Sequence, residues 1–386
     1  MTLSSPSATS SDSLHLPDRI LIVRLSAHGD LIHTLPLLTA LKKQNPQASI
    51  GWLVEASAAP LLAGHPFIDR LHVSQRKRWL KLAQNPLNWP RVFREARQLI
   101  AEIRQADYQV SLDVQGLFKS AVWPFLAKIP RRLGYLKSRE LSDRFYTEKL
   151  PGYDFKDAVT PVVEQFLDFA RALNCTVVAP EFAIPPISEA SRQKVAGLLA
   201  GANPEWPLVA LAPFTRWDSK HWLPEYWVQL LTELVQLPVN IVIIGAPGDE
   251  SATQAMLNPL PEKEAAQRIV NLVGRTDWPD LYALFQRTRL LIGLDSGPLH
   301  IANAVGVPEI IGLFGPTAAG RTGPIGPQHT TLTTTLSCQP CHAHQCPIKT
   351  HDCMRQLTPL AVMTIVRQHL GLQTAQPDTS DARLAR

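Results

Sequence analysis

Arg19-Ile-Leu-Ile-Val-Arg-Leu25 runs directly into Ser26-Ala-His-Gly-Asp30, and that into residues 31–43. The first stretch is a short run of branched apolar residues, the pattern of a strand buried on both faces. The second is a glycine-containing loop, and the third carries apolar residues at helical spacing. Strand, loop, helix is the opening of a parallel α/β unit, and the alternation continues outward from it. Residues 49–55 and 70–73 read as further strands, and 91–104 as an amphipathic helix. Residues 108–114 read as a strand leading through Gln115-Gly116 into a helix that ends near 127. A helix over 158–173 follows. Residues 176–186 carry Pro180, Pro185 and Pro186 and interrupt the pattern. It then restarts, with a helix at 188–200 and strands at 208–212, 240–245, 268–272, 290–294 and 309–314. Helices at 222–235, 277–286, 299–305 and 357–370 are interspersed.

This reading predicts an α/β protein of two doubly wound, Rossmann-like domains. They span 18–175 and 188–356, with a linker at 176–187 and a closing helix at 357–372. Residues 1–17 and 373–386 are polar and are expected to be disordered. Ligands of such sheets sit beyond the carboxyl ends of the strands, so the expected site is a cleft between the two domains.

The 386 residues exceed one ordinary core, and the apolar content of 45% suits a globular chain. The net charge of +5 is unevenly spread. Arg70, Arg76, Lys77, Arg78, Lys81, Arg91, Arg94, Arg97 and Arg104 face only Glu95 and Glu102 over that stretch. It reads either as a solvated helical face or as a surface meeting something anionic: a phosphorylated glycolipid, membrane headgroups or nucleic acid. Trp79 and Trp89 are the main aromatics among these charges, so a nucleic-acid partner is not expected. No run reaches the ~18 apolar residues of a membrane span. The start of the chain lacks the basic-then-apolar pattern of a secretory signal. The expected location is cytoplasmic, with any contact to the inner membrane peripheral.

Four loops carry chemistry. Ile292-Gly-Leu-Asp-Ser-Gly-Pro-Leu-His300 ends a strand and opens a helix. Asp295, Ser296, Gly297 and His300 there suit an anion, through backbone N–H groups, a close glycine approach and a histidine donor. The plainer reading is a helix cap with a core histidine. Pro213-Phe-Thr-Arg-Trp-Asp-Ser-Lys-His-Trp222 offers Thr215, Ser219 and Lys220 to a diphosphate, or is a surface loop. Ile243-Ile-Gly-Ala-Pro-Gly-Asp-Glu250 offers Asp249 or Glu250 to ribose hydroxyls, or only an acid at a helix start. In the first half, Asp30 beside Gly29 suits a general base, or an N-cap. Neither half has an unbroken G-x-G-x-x-G, so a nicotinamide enzyme is not expected.

These motifs together resemble glycosyltransferase family 9, the ADP-heptose:lipopolysaccharide heptosyltransferases. The resemblance rests on Ser26-x-x-Gly-Asp30, His33-Thr-Leu-Pro36, Asp113-x-Gln-Gly116, Lys220-His-Trp222, Gly245-Ala-Pro247, Asp295-Ser-Gly-Pro-Leu-His300 and Phe314-Gly-Pro-Thr317. They stand in the family's order between about residues 19 and 370. The resemblance implies the GT-B architecture, two Rossmann-like domains facing each other across a cleft. It implies inverting transfer of heptose from ADP-heptose to the lipopolysaccharide inner core or a related cell-surface glycan, with no required cofactor. Asp30 then matches the catalytic base, and Lys220 a catalytic and donor-phosphate cation. Thr215, Ser219, Asp249, Asp295, Ser296, Gly297 and His300 match the donor site. Gly29, Lys119, Arg76 and Arg78 fall to an anionic acceptor such as the lipid A–core. The closing helix is expected to cross back onto the first domain. The rival readings are a sugar-nucleotide epimerase of the same architecture and a non-catalytic nucleotide or glycan binder.

Cys175 stands alone and reads as a small core residue. Cys338, Cys341, Cys346 and Cys353 cluster, with His342, His344 and His351 among them. Their spacing suggests metal before disulfide in a cytoplasmic chain, without matching the two tight pairs of a zinc ribbon. A structural Zn, an Fe–S site, disulfides and free thiols all stay open.

Overall fold

A computed structural model describes residues 16–136, 138–154, 158–261 and 268–372. The segments 1–15 and 373–386, the bulk of the two expected disordered ends, lie outside the described residues. The chain divides into two compact units. Among the described residues, the first comprises those within 16–26, 34–152 and 163–183, and the second those within 27–33, 153–162 and 184–372. The start of the first long helix, His28–Gln44, thus groups with the second unit.

The first unit holds a six-stranded parallel sheet in the order β3-β2-β1-β4-β5-β6. Its strands are β1 (Arg19–Val23), β2 (Ser49–Glu55), β3 (Arg70–Ser74), β4 (Val110–Asp113), β5 (Arg131–Tyr135) and β6 (Glu148–Leu150). In register, β1 sets Ile22 beside Trp52 of β2 on one side and Leu112 of β4 on the other. Ile20 to Val23 are wholly buried, as a central parallel strand covered on both faces requires. The helix Trp89–Gln105 covers one face with Leu99 and Ile103, which join Leu21, Leu53 and Trp123 in one core cluster.

The second unit repeats the plan in the order β12-β11-β10-β7-β8-β9, again all parallel. Its strands are β7 (Leu208–Ala212), β8 (Asn240–Ile243), β9 (Ile269–Asn271), β10 (Leu290–Leu294), β11 (Glu309–Phe314) and β12 (Thr330–Thr333). Counted within each unit, both sheets have the order 3-2-1-4-5-6 of a Rossmann fold, so both are doubly wound. Such an order reverses between its first and fourth strands, which here are β1 and β4, and β7 and β10. Ligands bind beyond the carboxyl ends of that strand pair. The connections after these strands are residues 24–27, where the expected loop Ser26 to Asp30 turns helical at His28, then 114–117, 213–223 and 295–296.

The closing helix, Pro359–His369, starts on Thr358, whose hydroxyl accepts from the Ala361 N–H at 3.3 Å. The resemblance implies a crossing back onto the first domain; by its packing the helix groups with the second unit. Val362, Met363 and Val366 enter the second unit's own core with Trp227 and Leu231. The Trp222 indole ties the approach to it by donating to the Leu357 carbonyl at 2.7 Å. Among the described residues, no helix is long and apolar enough to cross a membrane.

Candidate functional site

Asp295 follows β10 with a carboxyl group that is almost wholly buried. Lys220 donates to its Oδ2 at 2.7 Å and to its backbone carbonyl at 3.1 Å. The Thr317 hydroxyl donates to the same Oδ2 at 2.7 Å. On the other oxygen, His300 Nε2 stands at 3.2 Å and the Thr322 hydroxyl at 3.5 Å. Burial alone would push this carboxyl up. The Lys220 charge and the His300 contact outweigh it and hold the group well below the usual carboxylate range. Asp295 is therefore an anchored anion that aims Lys220 and His300, not a free ligand.

The helix Gly297–Val305 follows at once. Pro298 stands in its first turn, and Gly306 closes it at φ +84°, a conformation that suits glycine. Its cap residue is Ser296, but the Ser296 hydroxyl makes no capping bond and is buried with no partner among the described residues. A buried hydroxyl at a helix N-terminus with nothing to bond is a place for an anion's oxygen. Gly297 sits in tight space: a Cβ there would lie 3.1 Å from the Trp278 ring, which would have to give by a few tenths of an ångström. The Trp278 ring in turn packs on His28, centroids 4.5 Å apart.

The loop after β7 presents Lys220 over the Trp217 ring, 4.5 Å from its centroid. Ser219 has a different task from the donor contact expected of it. It is buried, its hydroxyl donates to the Ala343 carbonyl at 2.5 Å, and its N–H donates to the His344 carbonyl at 3.0 Å. Its proton is therefore engaged with the cysteine-rich loop. His344 stacks on Trp217 at 4.1 Å, and His351 Nε2 meets the Ser219 carbonyl at 2.9 Å. Thr215 is half-buried, its carbonyl 2.9 Å from His221 Nε2. After β8, Asp249 accepts the Ala246 N–H at 2.8 Å, which shapes the turn beside Gly245.

Sequence reasoning missed Arg321, Thr322 and Trp278, and left Thr317 without a role. Burial first, then the charges of Arg321 and Lys220, lower the pKa of His342. Two cations thus lie close to one imidazole, with Asp295 the acid opposing them. Only Thr317 had a signal, in Phe314-Gly-Pro-Thr317; Arg321 and Thr322 come after it in a small-residue stretch with no pattern to mark them.

Asp30 lies in the first turn of His28–Gln44, partly exposed, and accepts the Ala27 N–H at 3.3 Å. Gly29 presses on His300: a Cβ on it would stand 2.3 Å from the His300 ring. His33 meets the same ring edge-on at 4.4 Å. The start of this helix is therefore seated on the Asp295–His300 arrangement inside the second unit.

In the first unit, Asp113 organises the loop after β4. It accepts from the N–H groups of Gln115 and Gly116, from the Ser120 hydroxyl at 2.9 Å and from the Tyr146 hydroxyl at 2.8 Å. Burial nevertheless raises its pKa to about 6. Gln115 accepts the Leu25 N–H at 2.7 Å and so ties the two loops of this sheet together. Lys119 reaches Ser26 at 3.5 Å. Its pKa is lowered by burial and then by the Arg76 charge. Arg78 is not part of that group; its guanidinium is held by Glu95.

The four clustered cysteines are free thiols and line one small cavity of about 20 Å³ with Ser219 and His351. Backbone N–H groups, that of His351 foremost, lower the Cys346 pKa. Burial, then the other three sulfurs, raise that of Cys353 to about 11. Among the described residues, no group of three or more His, Cys, Asp or Glu side chains is placed to hold a metal ion. Cys175 is buried and free, with a thiol pushed up to about 11 by burial.

The family model described as glycosyltransferase family 9 (heptosyltransferase) matches residues 96–351. Lipopolysaccharide heptosyltransferase 1 of Pseudomonas aeruginosa is 29% identical over 346 residues, 89% of this chain and 91% of that protein. A family 9 glycosyltransferase of Veillonella parvula superposes with a TM-score of 0.75 at 19% identity, covering 92% of this chain and 98% of its own. The Escherichia coli heptosyltransferase WaaC, solved with ADP, superposes at 0.69 with 23% identity, covering 91% and 99%.

Proposed function

The chain belongs to glycosyltransferase family 9, a glycosyltransferase of GT-B architecture, and from that premise we propose that it moves a heptose from ADP-heptose onto the inner core of lipopolysaccharide with inversion at the anomeric carbon. The observation that carries the reading is the unpartnered Ser296 hydroxyl at a helix N-terminus, beside the Lys220 and His300 that Asp295 orients. The donor diphosphate rests there, on the Ser296 and Gly297 N–H groups, with Arg321 as a further cation. Thr215 lines the same loop. Asp249 shapes the turn that meets the ribose.

The acceptor hydroxyl gives its proton to the Asp30 carboxylate as its oxygen attacks the anomeric carbon. The bond from that carbon to the diphosphate oxygen breaks, and ADP leaves with the electron pair. Negative charge grows on the diphosphate, and fixed donors aimed at growing charge lower the barrier. Gly29 leaves room beside His300, and Lys119 with Arg76 attracts an anionic acceptor sugar. Arg78 contributes charge only through its pair with Glu95.

The reaction needs no cofactor. We also infer that Cys338, Cys341, Cys346 and Cys353 hold one structural Zn or iron–sulfur group. The chemistry of the donors supports this, since four free thiols line one cavity and Cys346 is eased toward its thiolate; as placed the sulfurs form no ligand set, so binding would have to draw them together. Such a group would cross-link the loop that braces Ser219. Stoichiometric metal in protein purified without a His-tag is the expected result, and its absence overturns this point. The enzyme acts at the cytoplasmic face of the inner membrane through peripheral contact.

Asp30→Asn is expected to lose at least about 100-fold in kcat while keeping its affinity for ADP. Lys220→Ala loses both turnover and donor affinity. Normal turnover in the Asp30 variant overturns the base. Turnover of the donor in the absence of acceptor, giving a rearranged free sugar, would instead indicate an epimerase.

A further inference from the structure

The helices Arg76–Leu82 and Trp89–Gln105 pack on each other in the first unit, joined by a turn at Pro86–Asn88. The second helix buries Leu99 and Ile103 in the core, yet it opens with Trp89 and Phe93 one turn apart and both turned out. Phe93 is 64% exposed, and Leu87 in the turn is 87% exposed. Leu80 on the first helix is exposed as well. Each of the four keeps more than half of its surface exposed. The Trp89 indole N–H donates to the Ala83 carbonyl at 2.9 Å, so the residue's one polar side-chain atom is satisfied while its ring faces outward.

The charges around this apolar group are mostly basic. Glu95 is the acid among them, and it is taken up by the Trp79 indole at 2.7 Å, by Arg91 at 3.0 Å and by Arg78. Lys81, Arg94 and Arg97 have no acidic partner among the described residues. Exposed aromatic and aliphatic side chains set among unneutralised cations are the chemistry of a surface that lies on anionic lipid. A protein interface of the obligate kind would be depleted of such charges.

We propose that this helix–turn–helix is the surface by which the protein rests on an anionic bilayer. Leu80, Leu87, Trp89 and Phe93 enter the headgroup boundary, and Lys81, Arg94 and Arg97 meet headgroup phosphates. The inference rests on the peripheral-membrane reading above and assigns it a surface. It uses no residue of the donor or acceptor machinery.

The test is co-sedimentation of the full chain with vesicles containing phosphatidylglycerol, against vesicles of phosphatidylcholine alone. Binding to the anionic vesicles that weakens with added salt is expected, with little binding to the zwitterionic ones. Each cation removed should weaken binding about fivefold, so R94Q together with R97Q costs roughly 25-fold. W89S with F93S should abolish binding at any salt concentration, and L87S alone should weaken it. Circular dichroism checks that the variants fold. Transfer to a soluble, delipidated acceptor should stay at the unaltered rate in all of them, which separates failure of this surface from failure of the transferase reading. Undiminished vesicle binding by both double variants overturns the proposal. So does a concentration-dependent dimer that W89S with F93S abolishes, because a second copy would then be the occupant.

Discussion

Asp295 shows how a residue without a direct catalytic task governs a site. Its carboxylate is enclosed by Lys220, His300, Thr317 and Thr322, and each of these is oriented by the contact. Removing the charge from a buried pair leaves the partner uncompensated, which costs about 3–5 kcal/mol. Asp295→Asn should therefore unfold at clearly lower urea, by about 3 kcal/mol. ADP should stabilise the variant more than the unaltered protein, because its phosphates supply the missing anion. Equal stabilisation of both would mean that Lys220 does not meet the diphosphate. A second residue acts on pH. His72 is buried, 2.8 Å from the Tyr108 hydroxyl, and burial with the Arg70 charge lowers its pKa to about 4. Its folded form stays neutral where the unfolded chain, near 6.5, takes up a proton. That stability is full above pH 6.5 and is lost as the pH falls toward 4, by about 3 kcal/mol. His72→Gln keeps a hydrogen-bonding group for Tyr108 and should flatten the fall between pH 7.5 and 4.5 by about 2 kcal/mol. Parallel pH profiles of unfolding for the two proteins would remove His72 as the cause.

At the scale of elements, what the chain declares depends on whether its partners are local. Leu208–Ala212, Leu290–Leu294 and Glu309–Phe314 are read to the residue, because each is a continuous apolar run bounded by loop residues. Arg131–Tyr135, Glu148–Leu150 and Thr330–Thr333 escape the reading. They lie toward the sheet edges and carry Arg, Glu, Lys or Thr on half-exposed faces, so neither alternation nor an apolar run marks them. The sequence reads the loops after β7 and β10 as suited to an anion, through hydroxyls, a lysine and a glycine at a helix start, and the loop after β1 as the place of a general base. The placement of Ser219 is not, since its partners are the carbonyls of Ala343 and His344, more than a hundred residues away. The cysteine-rich loop holds Ser219 at both its hydroxyl and its N–H, and His344 backs the Trp217 ring on which Lys220 lies. Disordering this loop by C338S with C346S should weaken ADP binding about tenfold, as calorimetric titration would read, with Asp30 chemistry intact at saturating donor. An unchanged ADP affinity in a variant with that loop disordered would show the brace to be idle.

At the scale of the whole molecule, two sheets of one topology have been given unlike loops. The first sheet's switch-point loops are tied to each other by Gln115 and fixed by Asp113, and Lys119, one residue into the helix that follows, reaches back to Ser26. The second sheet's loops carry the buried anion, the orphan hydroxyl and the paired cations that suit a diphosphate. Identical strand order thus leaves function to the loops after the first and fourth strands of each unit. The start of His28–Gln44 belongs with the second set, because Gly29 and His33 both touch His300. ADP alone, without acceptor, should therefore protect a discontinuous set of amides from hydrogen exchange: those near residues 215–222, 246–250, 296–300 and 317–322, and those at the start of the 28–44 helix. The loop at 114–120 should exchange at its unliganded rate. At a concentration of about 100 Kd, the ligand adds about 2.7 kcal/mol to any opening that destroys its site, which is about a hundredfold slowing at those amides. Protection of 114–120 equal to that of 296–300 would place the nucleotide on the first sheet, and the division of labour between the two sheets would have to be reversed.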